Sequence, residues 1–207
     1  MRPLPRLHAV TDGAVLAAED FGIRAAAIAA AGAAVALHAR DCGAGGAALG
    51  RAAMRLVALA RPPEAAVFVS GRPDLAAALS AHGVQLGAGD LTPGDARRVF
   101  PSGWIGCSVH SPAEAAAAVR AGADYLMLGN VYPTASHPGR AGIGLETVRT
   151  VARLGRPVIA IGGVEPARVD ELKAAGAYGI AAIRALWGAG DPAAAALALL
   201  RPWLEDA

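Results

Sequence analysis

The residues best equipped for chemistry in this 207-residue chain stand where short apolar runs stop. Thr11-Asp12-Gly13 follows the first run, and His38-Ala39-Arg40-Asp41-Cys42 closes the second. Ser70-Gly71-Arg72 comes next, then Gln85 with Gly87 to Asp90, then Ser108-Val109-His110-Ser111. Gly129 to Thr134, the pair Gly162-Gly163, and Arg184-Ala185 complete the series. The glycine pair is the most specific signal. Without Cβ atoms a backbone can come close to an anion, and helix N-terminal N–H groups are ready phosphate donors. Gly162, Gly163, Arg184 and Ala185 are therefore expected to bind phosphate, with the Arg184 guanidinium adding charge. Arg40, Ser70, Gln85, Ser108 and Thr134 are candidate substrate contacts.

Candidate proton carriers come from the histidines, whose ordinary pKa lies near neutrality. His137, in the irregular stretch after Leu128, is the first candidate for a general acid/base and His110 the second. Asn130 lies in the same stretch as His137; its amide can donate a hydrogen bond but cannot cycle a proton. His8 is read either as a core residue or as a ligand contact, His38 as facing outward, and His82 as a helix-tail residue. Asp12, Asp41, Asp74 and Asp90 could act as bases, metal ligands or turn formers, Asp74 mainly through a helix dipole. Lys173 is the only lysine and falls on an outer helix, which argues against Schiff-base chemistry.

The elements that must position these residues repeat regularly. Eight β-like runs alternate with helical segments at roughly 20–25 residues per unit, the short end for an α/β barrel. Val158 to Ile161 and Tyr125 to Leu128 are apolar without alternation, as strands buried on both faces should be. Thr92 before Pro93, and Ser111 before Pro112 with Glu114, are helix starts. Closure into a single (β/α)8 TIM barrel over residues 1–207 leaves no sheet edge, unlike an open doubly wound sheet, and places the polar run ends together at one face.

Composition narrows the partners. A net charge of +2 from scattered arginines gives no nucleic-acid footprint. Cys42 and Cys107 lack metal spacing and read as thiols in a reducing compartment. Met1 to Val10 has no long apolar stretch, and charges interrupt the Ala-rich runs, so neither a leader nor a membrane contact is expected. Cytoplasmic residence follows as an expectation; a homodimer is left open.

The run-end motifs together resemble the family of thiamine-phosphate synthase and thiazole tautomerase. The matching pieces include His8 to Asp12, Leu37 to Arg40, Gly71 to Leu75, Val84 to Gly87, Gly106 to Ser111, Gly129 to Thr134 and Val158 to Gly163, in the family's order along nearly the whole chain. The resemblance implies a (β/α)8 barrel. The synthase joins an aminopyrimidine methyl diphosphate to a thiazole phosphate, releases diphosphate, and implies Mg2+. Its pattern has a lysine where Cys42 stands, an Asn-Asp pair at Ser70-Gly71 and a lysine where His137 stands; of its two metal-binding acids, Asp90 remains. Gly71-Arg72 and Ser108 to Ser111 resemble the tautomerase branch, which isomerises a carboxylated thiazole phosphate and implies no cofactor. That branch has a histidine where Asn130 stands. The expectation is thus a tautomerase-like isomerase acting on a small phosphorylated thiazole. A synthase, a non-catalytic or regulatory phosphate-binding homologue, and a barrel with another isomerase or aldolase reaction are the alternatives.

Overall fold

The computed structural model describes residues 2–60, 64–134, 139 and 141–205. Eight parallel strands close into a barrel in sequence order, β1 Leu7–Val10, β2 Val35–Ala39, β3 Ala66–Ser70, β4 Gly83–Leu86, β5 Trp104–Val109, β6 Tyr125–Leu128, β7 Val158–Ile161 and β8 Gly179–Ala182. The helices are α1 Gly13–Ala17, α2 Phe21–Ala29, α3 Gly46–Ala60, α4 Pro73–Ala78, α5 Pro93–Val99, α6 Pro112–Arg120, α7 Gly144–Ala152, α8 Val169–Ala174, α9 Arg184–Trp187 and α10 Pro192–Leu204. The single-barrel reading is therefore correct. Two short helices, α1 and α9, go beyond the sequence pattern, because four or five residues carry too little periodicity to announce a helix.

The expected helix starts hold. Thr92 Oγ1 accepts from Asp95 N, and Ser111 Oγ accepts from Glu114 N, each cap followed by proline in the first turn. Such caps are worth about 1 kcal/mol each, and they fix where the loops after β4 and β5 end.

Two apolar layers follow from strand alternation. Val35, Leu37 and Ala39 of β2 pack outward among the helices, while Ala36 joins Val10, Phe68, Tyr125, Met127, Ile159 and Ala181 inside the barrel. A Cβ at Gly83 would overlap the Phe68 ring, and one at Gly106 the Tyr125 ring, so these glycines make room for the interior aromatics. The segment before β1 seals the lower end: Tyr178 Oη donates to Leu4 O and Trp104 Nε1 to Arg2 O. The site therefore opens at the opposite end, although His8 on the inner wall reaches back to Pro5 O at the sealed end. Among the described residues, no helix is long and apolar enough to cross a membrane.

Candidate active site

A cavity of about 1230 Å3 opens at the C-terminal ends of the strands, where sites of this architecture lie. Its walls include every proposed site residue except His137, which lies outside the described residues.

One wall is made by side chains on β2 to β5. Thr11, fully buried, ties the end of β2 to β1: its hydroxyl lies 2.9 Å from both His38 O and Arg40 O and accepts from Arg40 N. Arg40 is thus launched from a fixed backbone. Gln85 Nε2 donates to Ser108 Oγ at 3.0 Å and leans toward Leu86 O at 3.4 Å. Gln85 Oε1 and Ser70 Oγ are buried without a partner among the described residues. Asp90 accepts from Gly87 N at 2.7 Å and approaches Gly71, whose φ of +69° favours glycine. Arg72 lines the same wall, held by both oxygens of Asp74 at 2.8 and 2.5 Å.

The opposite wall is largely backbone. Gly162 and Gly163 follow β7 with φ of +98° and +64°. A Cβ at Gly162 would stand 2.6 Å from Asn130, and one at Gly163 2.8 Å from Pro133 O and the Tyr132 side chain. Gly162 O accepts from Tyr132 N and Gly163 O from Arg168 Nη1. Because a trans peptide points its N–H opposite to its carbonyl, the N–H groups of Gly163 and Val164 turn away from those partners. Ala185 stands in the first turn of α9, where helical N–H groups lack intrahelical acceptors. Arg184 Nη2 reaches Thr134 Oγ1 at 3.2 Å, linking the loops after β6 and β8. Arg168 lies 4.5 Å over the Tyr132 ring and also pairs with Glu165, while Tyr132 Oη donates to Glu171. This brace holds the glycine turn.

His110 lines the rim, where its Nδ1 lies 3.1 Å from Glu114 Oε2 and its backbone N donates to the same oxygen. Asn130 Nδ2 donates weakly to Tyr132 O at 3.3 Å. Asp12 and Asp41 are used by the chain itself, Asp12 capping α1 through Val15 N and Asp41 accepting from Gly43 N. Cys42 is exposed at the cavity edge, whereas burial pushes the Cys107 thiol up to about 11. Lys173 donates to Pro202 O on α10, outside the cavity.

The outward assignment of His38 is wrong. His38 is fully buried, lines the cavity and meets His8 inside the barrel. The signal is present in the spacing: Arg40 is a site candidate, and residues two apart share a strand face. His8, open between core and ligand roles, is a core residue hydrogen-bonded to His38 and Pro5 O. Arg168 and Glu165 also line the cavity, and they lie beyond the strand ends, where sequence position alone does not mark them.

Fold and cavity together define a (β/α)8 barrel with an open cavity at the C-terminal ends of its strands. The family model described as thiamine monophosphate synthase matches residues 7–186, and the chain belongs to that family. A thiamine-phosphate synthase of Thermus thermophilus is 47% identical over 147 residues, 70% of this chain and 71% of the relative. That of Methanoculleus marisnigri is 41% identical over 175 residues, 83% of each chain. The solved thiamine phosphate pyrophosphorylase from Pyrococcus furiosus superposes with a TM-score of 0.82 at 35% identity, covering 97% of this chain and 96% of its own. These relatives overturn the expected tautomerase and its isomerase chemistry: they bear the synthase name, and the chain's resemblance to the other branch at Gly71-Arg72 and Ser108 to Ser111 does not outweigh them.

Proposed function

We propose that the protein is a thiamine-phosphate synthase, joining an aminopyrimidine methyl diphosphate to a thiazole phosphate. The observation that carries this reading is that one cavity presents two sets of groups suited to anions, on opposed walls. Arg40, Arg72 and Asp90 come from β2 to β4; Gly162, Gly163, Arg184 and Ala185 come from β7 and β8. In a closed ring of eight strands, β3 and β7 lie across from one another. A substrate with a single phosphate needs one such end; two phosphorylated substrates meeting between them need both.

The chemistry suits these residues. The thiazole nitrogen lone pair forms a C–N bond to the pyrimidine methylene carbon as the C–O bond to diphosphate breaks. The bonding electrons leave with diphosphate, and the thiazole becomes a cation. No proton has to move. Asn130, which would be a deficit in a tautomerase, is therefore no obstacle here, and a paired rim histidine such as His110 is not needed as a base. Arg40 and Arg72 line the cavity, and on this reading they take charge developing on the leaving group, Arg72 while held by Asp74. The two walls hold the reacting atoms together, which lowers the entropic part of the barrier.

The donor set fits Mg2+ in a limited way. Among the described residues no cluster of three His, Cys, Asp or Glu side chains could hold a metal alone. Asp90 offers one carboxylate at the diphosphate end, the arrangement by which Mg2+ is commonly bound, with phosphate oxygens and water completing the shell. When bound there, the ion would neutralise diphosphate charge. The thiazole phosphate and aminopyrimidine diphosphate are the partners this reading assigns.

The experiment is direct. Purified protein incubated with both substrates and Mg2+ should release thiamine phosphate and diphosphate in equal amounts, and chelation should stop it. Folded protein that binds both substrates yet forms neither product would refute the reading.

A further inference from the structure

A chain of three groups runs from the sealed end of the barrel to the cavity floor. His8 Nε2 lies 3.1 Å from Pro5 O, and His8 Nδ1 lies 2.7 Å from His38 Nε2. A carbonyl only accepts, so His8 carries its proton on Nε2 and its Nδ1 is bare. His38 must then donate from Nε2, and its own Nδ1 is bare as well. Both rings are neutral, because burial lowers the His8 pKa to about 3 and holds His38 well below its ordinary value. The rings are wedged against aromatics: Phe68 stacks on His38 at 4.9 Å and Tyr125 lies 5.6 Å from His8. His38 Nδ1 has no partner among the described residues, though His38 lines the cavity.

It has company. Ser70 Oγ and Gln85 Oε1 are the other buried unpartnered atoms on the adjacent strands β3 and β4. The Gln85 amide nitrogen is occupied by Ser108, so its carbonyl oxygen is the end left over. The floor thus holds two bare acceptors and one hydroxyl. A buried acceptor without a donor is costly, so this corner is complementary to a ligand edge bearing N–H groups and hostile to one bearing only carbonyls.

We propose that His8 is a positioning residue that locks the His38 tautomer, and that the lock makes the cavity floor select a ring ligand offering N–H donors. The identity of that ligand as the aminopyrimidine rests on the function proposed above; the lock does not.

Protein labelled with 15N in histidine tests the lock without any substrate. His38 should show a protonated Nε2 and a bare Nδ1, unchanged from pH 8 to about pH 5. His8→Phe removes the acceptor and should give a mixed or inverted His38 tautomer. In the same variant the KM for the aminopyrimidine diphosphate should rise about tenfold, the worth of one hydrogen bond, with kcat and the KM for the thiazole phosphate unchanged. His8→Gln, whose amide can accept from His38 and donate to Pro5 O, should restore both. A protonated His38 Nδ1 in the parent protein overturns the lock, and that measurement survives even if His8→Phe fails to fold. An intact signature with no change in KM on its loss overturns the selection. An intact signature, lost in His8→Phe, in a protein that ignores the aminopyrimidine would leave the lock standing and refute the function instead.

Discussion

The two walls of the cavity offer a ligand different kinds of group. The β2 to β5 wall works with side chains: Arg40, Ser70, Gln85 and Ser108 project from consecutive strands, and two of them keep buried polar atoms unpartnered. The β7 to β8 wall works with backbone, through two positive-φ glycines and the first turn of α9. Side chains can be exchanged one at a time, so the first wall can change its ligand by substitution. A backbone site depends on there being no Cβ and on a fixed turn, so it tolerates almost nothing. Two of the chain's departures from the synthase pattern, Cys42 and Ser70-Gly71, fall on the first wall, beside the matching Leu37 to Arg40 and Val84 to Gly87; Val158 to Gly163 on the second matches the family, and the third departure, His137, lies outside the described residues.

The largest effect is therefore expected on the backbone wall. Gly163→Val would place a branched side chain where a Cβ already meets Pro133 O and Tyr132 at 2.8 Å, at a φ of +64°. Losing two charge-assisted N–H donors costs about 3–6 kcal/mol, or roughly 10²- to 10⁴-fold in KM for the thiazole phosphate. Steady-state kinetics on protein with a native circular dichroism spectrum checks this; a change under tenfold would contradict it.

On the other wall a single contact is at stake. Arg40→Met should lower kcat/KM for the diphosphate substrate by about 10- to 150-fold and leave the thiazole phosphate KM alone. Equal loss for both substrates would erase the distinction between the walls. Asp90→Asn keeps an acceptor for Gly87 N but removes the charge available to a cation, so half-maximal activity should need about 10- to 100-fold more Mg2+.

The histidine pair predicts a stability effect beneath both walls. Both folded pKa values lie below the ordinary 6.5, so the unfolded chain binds protons that the folded chain refuses. The stabilisation is complete above pH 6.5 and is lost as pH falls from there toward about 3 for His8. Each histidine contributes a slope of up to about 1.4 kcal/mol per pH unit. Between pH 6.5 and 5, where carboxylates stay charged, denaturant titrations should show the parent losing stability faster than a His8→Gln, His38→Gln double variant. Parallel profiles would contradict the neutral pair.

How legible this was in the sequence differs by wall in the same way. Gly162-Gly163 could be read because a glycine pair after an apolar run states its geometry directly, and Arg184 followed from the next strand end. Arg40, Ser70, Gln85 and Ser108 are marked by their position at strand ends. The contact between His8 and His38 was hard to see because two polar rings inside a barrel break the apolar pattern that locates the interior, although the spacing of His38 to Arg40 marks its strand face. Arg168 escaped because it reaches back to Gly163 from the last residue of a 3-10 turn at Pro166–Arg168, and only the folded chain brings them to 2.8 Å. Choosing between branches from Asn130 and Gly71-Arg72 failed for another reason: single side chains on the adaptable wall weigh less than the match along the whole chain.

The smallest expected effect is none. Lys173→Gln, on α8 and bonded to Pro202 O, should leave synthase turnover within about twofold, as a surface change remote from a site does; a large loss would reopen covalent chemistry at that lysine.

The central claim is that one cavity carries two different anion sites, and a crystal structure with the thiazole phosphate bound tests it most directly. The phosphate should lie between the loops after β7 and β8, within hydrogen-bond distance of the backbone N–H groups of Gly163 and Ala185, with Arg40 and Arg72 left for the diphosphate. Phosphate density at Arg40 and Arg72, with the glycine turn empty, would contradict the account.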